Sequence, residues 1–244
     1  MRYDNIQQFV NIYDRDNVVF CYGNYAVVDM IKNQILSADK VGLNIVVFAL
    51  DEKIAEEMSA ICDVVRYFDD AVDEDVFYEC GTKEFWDIAW AGWFIGEKIL
   101  SSGKSFICLD ADVVVRKNFE DDLLSQYKGT NYDCLVQSNG SSACTGFYSL
   151  RPTHRARSVY TKAFLEENKY WEDTHDQSFF NRVFKRRNVL HIKHLDRDEY
   201  PAGQYYYENF ERIDDVCKIV HFNGVKGYET KIAKMKKHSL WALQ

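Results

Sequence analysis

The first half of the chain alternates between continuous apolar runs and segments with helical spacing. The run at 18–22 is followed by a turn and by apolar residues at helical spacing over 27–36. The run at 43–50 is followed by a second helical pattern over 52–58. This order predicts an α/β fold in which helices flank a mostly parallel central sheet. Ligands of such sheets bind beyond the carboxyl ends of the strands, so the polar residues after each run are candidate site residues.

A third apolar run leads directly into two carboxylates. Residues 106–109 are apolar, Asp110 and Asp112 flank Ala111, and three valines follow. Ionised carboxylates are costly to bury unless a cation or hydrogen bonds compensate them. Because Mg²⁺ and Mn²⁺ are held by one or two carboxylates together with phosphate oxygens, the pair indicates a metal site at a strand end. The alternative is that the two aspartates cap a turn.

A long helix is predicted over 84–101, ending at Gly103. It carries aromatic residues at helical spacing, namely Trp86, Trp90, Trp93 and Phe94. Such a stripe is expected to pack on the sheet, and stacking on sugar rings is the alternative function.

Beyond residue 112 the pattern changes to mixed α+β. Residues 133–137 and 143–150 are predicted to be strands around the turn signal Asn139-Gly140. A helix is predicted after Pro152. Only the opening half therefore shows regular β-α alternation.

A further helix is predicted to begin near Thr174, where capping-box spacing is present, and to run through Phe184. This places Asp176 and Gln177 in its first turn. Polar side chains at a helix N-terminus commonly meet a ligand. An aspartate there also compensates the helix dipole, so both functions stay open.

The last part of the chain combines an imidazole, glycines and lysines. His221 ends an apolar run and is followed by Gly224, Lys226, Gly227 and Lys231. The imidazole could complete the metal site begun by the carboxylates, although a lone histidine on an apolar strand is also common in protein cores. Backbone N–H groups and ammonium charges beyond it could bind a diphosphate.

Composition narrows the possible partners. The 244 residues are 47% hydrophobic, which supplies enough core for one compact domain. The 30 basic and 38 acidic residues give a formal net charge of -8, which disfavours nucleic acid as a partner. A basic segment near the end of the chain is interpreted as a final helix, so membrane contact is not expected.

Seven cysteines without a C-x-x-C motif suggest reduced thiols and a cytoplasmic location. Neither a leader peptide nor a transmembrane anchor is predicted.

Taken together, the motifs resemble those of the GT-A nucleotide-diphospho-sugar transferases, and most of all the group around glycosyltransferase family 77. The resemblance extends from about Val18 to Trp241 and rests on the order of the Asn24 turn, Ala49-Leu50-Asp51, Leu109-Asp110-Ala111-Asp112-Val113, Thr145-Gly146-Phe147-Tyr148, Asp176-Gln177, Tyr200-Pro201-Ala202-Gly203 and His221-Phe222-Asn223. It implies a Rossmann-like GT-A domain over 1–244, with a nucleotide-binding half at about 17–112 and an acceptor-side half at 113–244.

The resemblance also implies residue roles. Asp110, Asp112 and His221 match the ligands of a divalent metal, usually Mn²⁺ and otherwise Mg²⁺. The residues expected to bind the nucleotide-diphosphate sugar are Tyr22, Gly23, Asn24, Asp51, Ala111, Gly146, Gly224, Lys226, Gly227 and Lys231. Asp176 and Gln177 match the segment that faces the donor sugar and the acceptor, which would be a hydroxyl of a glycan, a protein or a small molecule. One departure is the stretch 89–93, which lacks a lysine that related sequences often carry.

The expected reaction is glycosyl transfer, with a UDP-sugar favoured as donor. The resemblance implies retention of anomeric configuration, either by attack from the side of the leaving phosphate or through a covalent intermediate on Asp176. Two other functions stay open. A haloacid-dehalogenase-like phosphatase would use Asp110 as nucleophile and Asp112 as acid, but two β-α units precede the motif here. A non-catalytic module would bind a sugar nucleotide or glycan without turnover.

Overall fold

The structure is a computed structural model and describes residues 1–68, 72–169, 175–185 and 189–243. Its strands are β1 (Arg2–Tyr3), β2 (Asn17–Gly23), β3 (Val46–Ala49), β4 (Val64–Arg66), β5 (Ser105–Leu109), β6 (Val113–Val115), β7 (Cys134–Asn139), β8 (Ser142–Leu150), β9 (Ile192–His194) and β10 (Ile219–His221). Its α-helices are α1 (Ile6–Ile12), α2 (Val28–Asp39), α3 (Glu52–Met58), α4 (Lys83–Ser101), α5 (Glu120–Ser125), α6 (His154–Val159), α7 (Lys162–Lys169), α8 (Asp176–Phe179), α9 (Gly203–Ile213) and α10 (Tyr228–Lys237).

The main sheet confirms the predicted mostly parallel α/β architecture. Its strand order is β1-β4-β3-β2-β5-β8-β7-β9. The five strands from β1 to β5 in this order are parallel to one another, and β7 is parallel to β9. β8 runs antiparallel to both of its neighbours. Strands from both halves of the chain therefore belong to one sheet.

Helices cover both faces of this sheet because successive residues of a buried strand point to opposite sides. In β2, Val18 and Phe20 pack in the same cluster as Trp93 of α4. Val19 and Cys21 pack on the other side, in a cluster with the apolar face of α2. The predicted β-α-β-α opening is thus confirmed.

The middle of the aromatic stripe of α4, at Trp90 and Trp93, is buried in the core beside the sheet, as expected, whereas Trp86 is partly exposed and contacts His175. Trp90 and Trp93 are 1% exposed. The Trp93 ring stacks on the rings of Tyr148 and Tyr160, with centroids 5.4 and 5.5 Å away. These two indoles therefore serve mainly to hold α4 against the sheet.

The second half also follows the sequence patterns. β7 and β8 form the predicted hairpin at Asn139-Gly140, and α6 follows Pro152. Within the described residues the helix that contains Asp176 begins at Asp176 and continues as a π-helix over Phe180–Lys185, while Thr174 lies outside those residues. The seven cysteines are unpaired. Among the described helices we find none with the length and apolar character needed to cross a bilayer.

A small second sheet brings the end of the chain beside the carboxylates. β10 pairs antiparallel with β6, so that His221 lies opposite Val113 and Ile219 opposite Val115. β6 follows Asp112 directly in the chain. His221 is therefore placed next to the Asp110–Asp112 turn by backbone pairing.

Candidate active site

A cavity of about 400 Å³ lies beyond the carboxyl ends of β2 and β5. Its lining includes most of the residues singled out from the sequence, namely Tyr22, Gly23, Asn24, Asp110, Ala111, Asp112, Gly146, Asp176, Gln177, His221, Gly224, Lys226 and Lys231. Asp51 and Gly227 do not belong to that lining. The volume is within the range typical of small-molecule sites.

Three potential metal ligands converge on the floor of this cavity. His221 Nε2 lies 3.2 Å from Asp112 Oδ1 and 3.6 Å from Asp110 Oδ2. One ligand atom from each of the three residues lies within 4.8 Å of the others. Gln34 of α2 donates to the carbonyl oxygens of Asp110 at 2.8 Å and Val113 at 3.0 Å, which holds the turn that carries the carboxylates.

This donor set fits a divalent cation. Adjacent ligands of an octahedral ion at about 2.1 Å lie roughly 3.0 Å apart, which is close to the two spacings found at His221. Two carboxylates and one imidazole suit Mn²⁺, and the carboxylates also suit Mg²⁺. The three side chains are thus arranged to bind such an ion with little movement.

Asp112 is the buried anion of the cluster. It is 5% exposed, and its Oδ2 forms an ion pair with the ammonium group of Lys231. Burial alone would raise its pKa, but the charges of Lys231 and His221 hold the pKa well below its usual range. In turn, burial would lower the pKa of His221, and Asp112 raises that pKa well above its usual value. Asp112 is therefore ionised and attracts cations.

Asp110 is more open, with 41% of its side chain exposed. Poor hydration inside the narrow cavity, followed by the charges of Asp112 and Asp176, raises its pKa to about 6, against the attraction of His221. A second carboxylate beside an ionised one gains its charge most easily when a cation binds between them. A divalent cation bound beside Asp110 would therefore favour the ionised form of this carboxylate.

Gly146 supplies the wall behind these ligands. Its carbonyl oxygen accepts from the backbone N–H of Asp110 at 2.9 Å. A Cβ at this position would lie 2.1 Å from Cε1 of His221 and 2.5 Å from Oδ2 of Asp110. A side chain at residue 146 would thus displace two metal ligands.

We expect Gly146→Ala to lower the affinity for Mn²⁺ at least about tenfold, because both displaced ligands must move to accommodate the methyl group. Calorimetric titration of Mn²⁺ into the folded variant measures this effect. Ser142→Ala, on the same strand outside the cavity, is the control and should bind Mn²⁺ like the unmodified protein. Equal affinity in all three proteins would contradict the proposed close approach.

Two residues expected to bind the nucleoside also hold the scaffold around the cavity. Asn24 donates through its side-chain amide to the carbonyl oxygens of Asp73 at 2.8 Å and Val76 at 2.9 Å. Asp51 is the N-cap of α3, accepting from the N–H of Ile54, and its other oxygen accepts from the N–H of Tyr25. Direct contacts of Asn24 and Asp51 with a nucleotide stay predictions.

The segment that Asn24 holds forms one wall of the cavity, including Phe77, Tyr78 and Cys80. We expect Asn24→Ala to weaken UDP binding about tenfold, because two hydrogen bonds that position this wall are lost. Mn²⁺ affinity should be unchanged, since the amide does not contact the metal ligands. Separate titrations with UDP and Mn²⁺ distinguish these effects. A parallel loss of both affinities would contradict the view that Asn24 positions only this wall and not the metal ligands.

Asp176 lies at the start of α8 with its carboxylate held in place. It is 7% exposed, and its Oδ2 accepts from Thr145 Oγ1 at 2.8 Å and from Trp93 Nε1 at 3.4 Å. Its Oδ1 lies 3.3 Å from Nδ1 of His175. Gln177 follows on the same helix turn and also lines the cavity. A fixed carboxylate here can stabilise positive charge in the cavity.

The segment from Gly224 to Lys226 forms another part of the cavity lining. Gly224 and Gly227 adopt positive φ values of 72° and 84°, conformations that glycine permits without steric cost. Gly227 is the N-cap of α10, whose N-terminus carries a positive partial charge. Lys226 is exposed at the cavity, whereas Lys231 points to Asp112. Lys226 and Lys231 thus bring two ammonium groups to the cavity lining, where they can contact an anionic ligand.

The stretch 89–93 of α4, which lacks the lysine mentioned above, packs closely against Tyr22. At Gly92 a Cβ would lie 2.5 Å from Cε1 of Tyr22, so the tyrosine ring occupies the adjoining space. The Tyr22 hydroxyl donates to the carbonyl oxygen of Ala89 at 3.2 Å. The helix can approach the cavity closely at this point because residue 92 lacks a side chain.

A sequence profile of the nucleotide-diphospho-sugar transferases matches residues 42–235. The chain belongs to this family. A relative in Arabidopsis thaliana, UDP-D-xylose:L-fucose alpha-1,3-D-xylosyltransferase 3, is 29% identical over 118 residues, which is 44% of this chain and 30% of the plant protein. The match thus covers less than a third of the plant enzyme's length.

Solved structures show the same GT-A fold. Glycosyltransferase GlyE of Streptococcus pneumoniae TIGR4 has a TM-score of 0.60 at 15% identity, and the match covers 93% of this chain and 65% of GlyE. Mouse xyloside xylosyltransferase 1 has a TM-score of 0.55 at 12% identity and covers 93% of this chain and 100% of the mouse chain. At these identities the likeness shows the fold alone, which agrees with the predicted GT-A architecture.

Proposed function

We propose that this family member transfers a glycosyl group from a nucleoside-diphosphate sugar, with UDP as the favoured nucleotide, to a hydroxyl acceptor. The observation that carries the proposal is the Asp110–Asp112–His221 cluster, which lies in the cavity at the carboxyl end of β5. Mn²⁺ is the favoured ion and Mg²⁺ the alternative. A hydroxyl of a glycan, a protein or a small molecule would be the acceptor.

A xylosyl donor is the first to test. The plant relative and the mouse protein are both named as xylosyltransferases, and the plant name specifies UDP-D-xylose. Both names support a pentosyl donor for this chain.

The charges of the site suit the departure of a diphosphate. A divalent ion held by Asp110, Asp112 and His221 would supply Lewis-acid stabilisation of the leaving group when bound. Lys226 and Lys231 also line the cavity, and their positive charges can stabilise the negative charge that develops on the diphosphate as the bond to the sugar breaks. The protein therefore needs no strong acid to release the nucleotide.

Asp176 is placed to stabilise the positive charge that develops on the sugar. The transition state of glycosyl transfer carries positive charge on the sugar ring, and a carboxylate fixed by Thr145 and Trp93 can stabilise it. Gln177 lies beside it and can orient the sugar or the acceptor through its amide. We propose retention of configuration, either by attack on the face of the departing diphosphate or through a glycosyl ester of Asp176.

The experiment that tests this function is a donor screen. UDP-xylose, UDP-glucose, UDP-galactose and GDP-mannose are incubated with the protein and a panel of simple sugars, and release of nucleoside diphosphate is measured with Mn²⁺ or with EDTA. We expect Mn²⁺-dependent release from one donor, and its loss in Asp176→Asn. Binding of a donor without any turnover would favour a non-catalytic module, and neither binding nor turnover would contradict the proposal.

A further inference from the structure

Gln137 is a buried amide at an interruption of the β7–β8 ladder. It is 0% exposed. Along β7 the partner of Val136 is Tyr148, but the partner of Gln137 is Cys144, so three residues of β8 have no counterpart. Irregularities of this kind commonly redirect side chains beside active sites. The side chain of Gln137 reaches two segments that are distant in sequence, at Tyr200-Pro201 and at His221.

The orientation of this amide is determined by its partners. Gln137 Nε2 lies 3.2 Å from the carbonyl oxygen of Tyr200 and 2.9 Å from that of Pro201. Carbonyl oxygens only accept hydrogen bonds, so the amide nitrogen must face them. The reverse orientation would place the amide oxygen against two other oxygens. Oε1 of Gln137 therefore faces Nδ1 of His221, at 2.8 Å.

This contact selects one form of the imidazole. Because Oε1 only accepts, Nδ1 of His221 carries a hydrogen and donates it to Gln137. In the neutral ring the lone pair is then on Nε2, which faces the carboxylates of Asp110 and Asp112. When the ring is protonated, Nε2 also carries a hydrogen and donates it to Asp112 Oδ1 at 3.2 Å, and a divalent cation would take the place of that proton. The hydrogen bond thus prepares Nε2 for metal ligation.

We propose that Gln137 is a positioning residue that fixes the ring orientation and the Nδ1–H form of His221, so that Nε2 is presented to a divalent cation. The inference rests on the proposed metal-dependent function. It also gives a function to the Tyr200-Pro201 segment, whose two carbonyl groups hold the Gln137 amide. Removing a side chain that hydrogen-bonds to a metal-binding histidine typically lowers the metal affinity by about 10- to 100-fold.

Two substitutions separate positioning from folding. Gln137→Met keeps a similar side-chain length and removes the acceptor for Nδ1–H. Gln137→Glu keeps an acceptor for Nδ1–H but directs a second oxygen at the carbonyl groups of Tyr200 and Pro201, which destabilises the fold. We expect Gln137→Met to bind Mn²⁺ about 10- to 100-fold more weakly than the unmodified protein. We expect Gln137→Glu to bind Mn²⁺ at least about tenfold more tightly than Gln137→Met despite a lower melting temperature.

Calorimetric titration with Mn²⁺ and melting of the metal-free proteins are the two measurements. Tyr200→Phe removes the hydroxyl that donates to Asp122 Oδ2 at 2.8 Å but keeps the carbonyl group that accepts from Gln137, so it controls for a general loss of stability and should retain Mn²⁺ affinity. Unchanged affinity in Gln137→Met, or affinities that simply follow the melting temperatures, would overturn the inference. If Gln137→Glu does not fold, the Mn²⁺ affinities of Gln137→Met and Tyr200→Phe are compared instead, and equal affinities would overturn the inference. Absence of Mn²⁺ binding by the unmodified protein would instead overturn the metal-dependent function itself.

Discussion

Asp112→Asn is expected to lose Mn²⁺ binding and to lower turnover at least about 10³-fold, because the substitution removes the ionised ligand of the cluster. It should also lower the free energy of unfolding by roughly 3 kcal/mol, since the buried charges of Lys231 and His221 lose their common partner. Turnover assays, Mn²⁺ titration and chemical denaturation measure the three effects.

Asp110→Asn is the matched variant, and it should lose Mn²⁺ binding and turnover without losing stability. It also removes a metal ligand, so Mn²⁺ binding and turnover should fall as in Asp112→Asn. Its free energy of unfolding should be unchanged or higher, because burial and then the charges of Asp112 and Asp176 disfavour the ionised form of Asp110 and outweigh the attraction of His221. Full activity in either variant, or equal destabilisation of both, would contradict the charge distribution described for this site.

Lys231→Met is expected to change two affinities in opposite directions. The ammonium group of Lys231 pairs with Asp112 Oδ2, and its side chain is only 18% exposed. In the absence of a nucleotide this cation competes with a metal for the same carboxylate, so its removal should strengthen binding of Mn²⁺ alone about tenfold. Binding of UDP should weaken about tenfold or more, because one positive charge near the diphosphate is lost.

Calorimetric titrations of Mn²⁺ alone and of UDP measure these effects. Lys237→Met, at an exposed position on the same helix, is the control and should leave both affinities unchanged. Weaker binding of both ligands to Lys231→Met would show that the lysine supports the metal site and does not compete with the ion.

The architecture was predictable where local patterns carry the information. β2, α2, β3 and α3 follow from the change between continuous apolar runs and helical spacing, because a buried parallel strand and an amphipathic helix have different periods. The hairpin of β7 and β8 follows from its turn signal at Asn139-Gly140. The parallel or antiparallel direction of each strand in the second half depends on long-range pairing, which such patterns do not encode.

The same distinction applies to the site. Asp110, Asp112 and His221 were found because ionisable side chains at the ends of apolar strands are unusual enough to indicate a function. Their meeting depends on the pairing of β10 with β6, which a single sequence does not reveal. Asn24 and Asp51 stay predicted nucleoside ligands, whereas their hydrogen bonds to backbone groups were not predicted, because those groups become neighbours only in the folded chain.

The sequence patterns did not point to several supporting residues. Gln34 and Gln137 are fully buried amides, and the Nε2 group of each donates to backbone carbonyl groups far away in the chain. Thr145 contacts Asp176 because the β7–β8 ladder is interrupted at that point. The signal available in the sequence was that each glutamine stands next to two apolar residues of a predicted helix or strand. An amide buried there requires a hydrogen-bond partner.

Coupling between Mn²⁺ and UDP tests the central claim most directly. UDP is titrated calorimetrically into the protein with saturating Mn²⁺ and with EDTA, and the titrations are repeated with Asp112→Asn. Because the bound metal is proposed to hold the diphosphate, we expect Mn²⁺ to tighten UDP binding at least about tenfold. UDP should then tighten Mn²⁺ binding by the same factor. This coupling should vanish in Asp112→Asn. Equal UDP affinity with and without Mn²⁺, or coupling that persists in the variant, would contradict a metal-dependent nucleotide-sugar site at Asp110, Asp112 and His221.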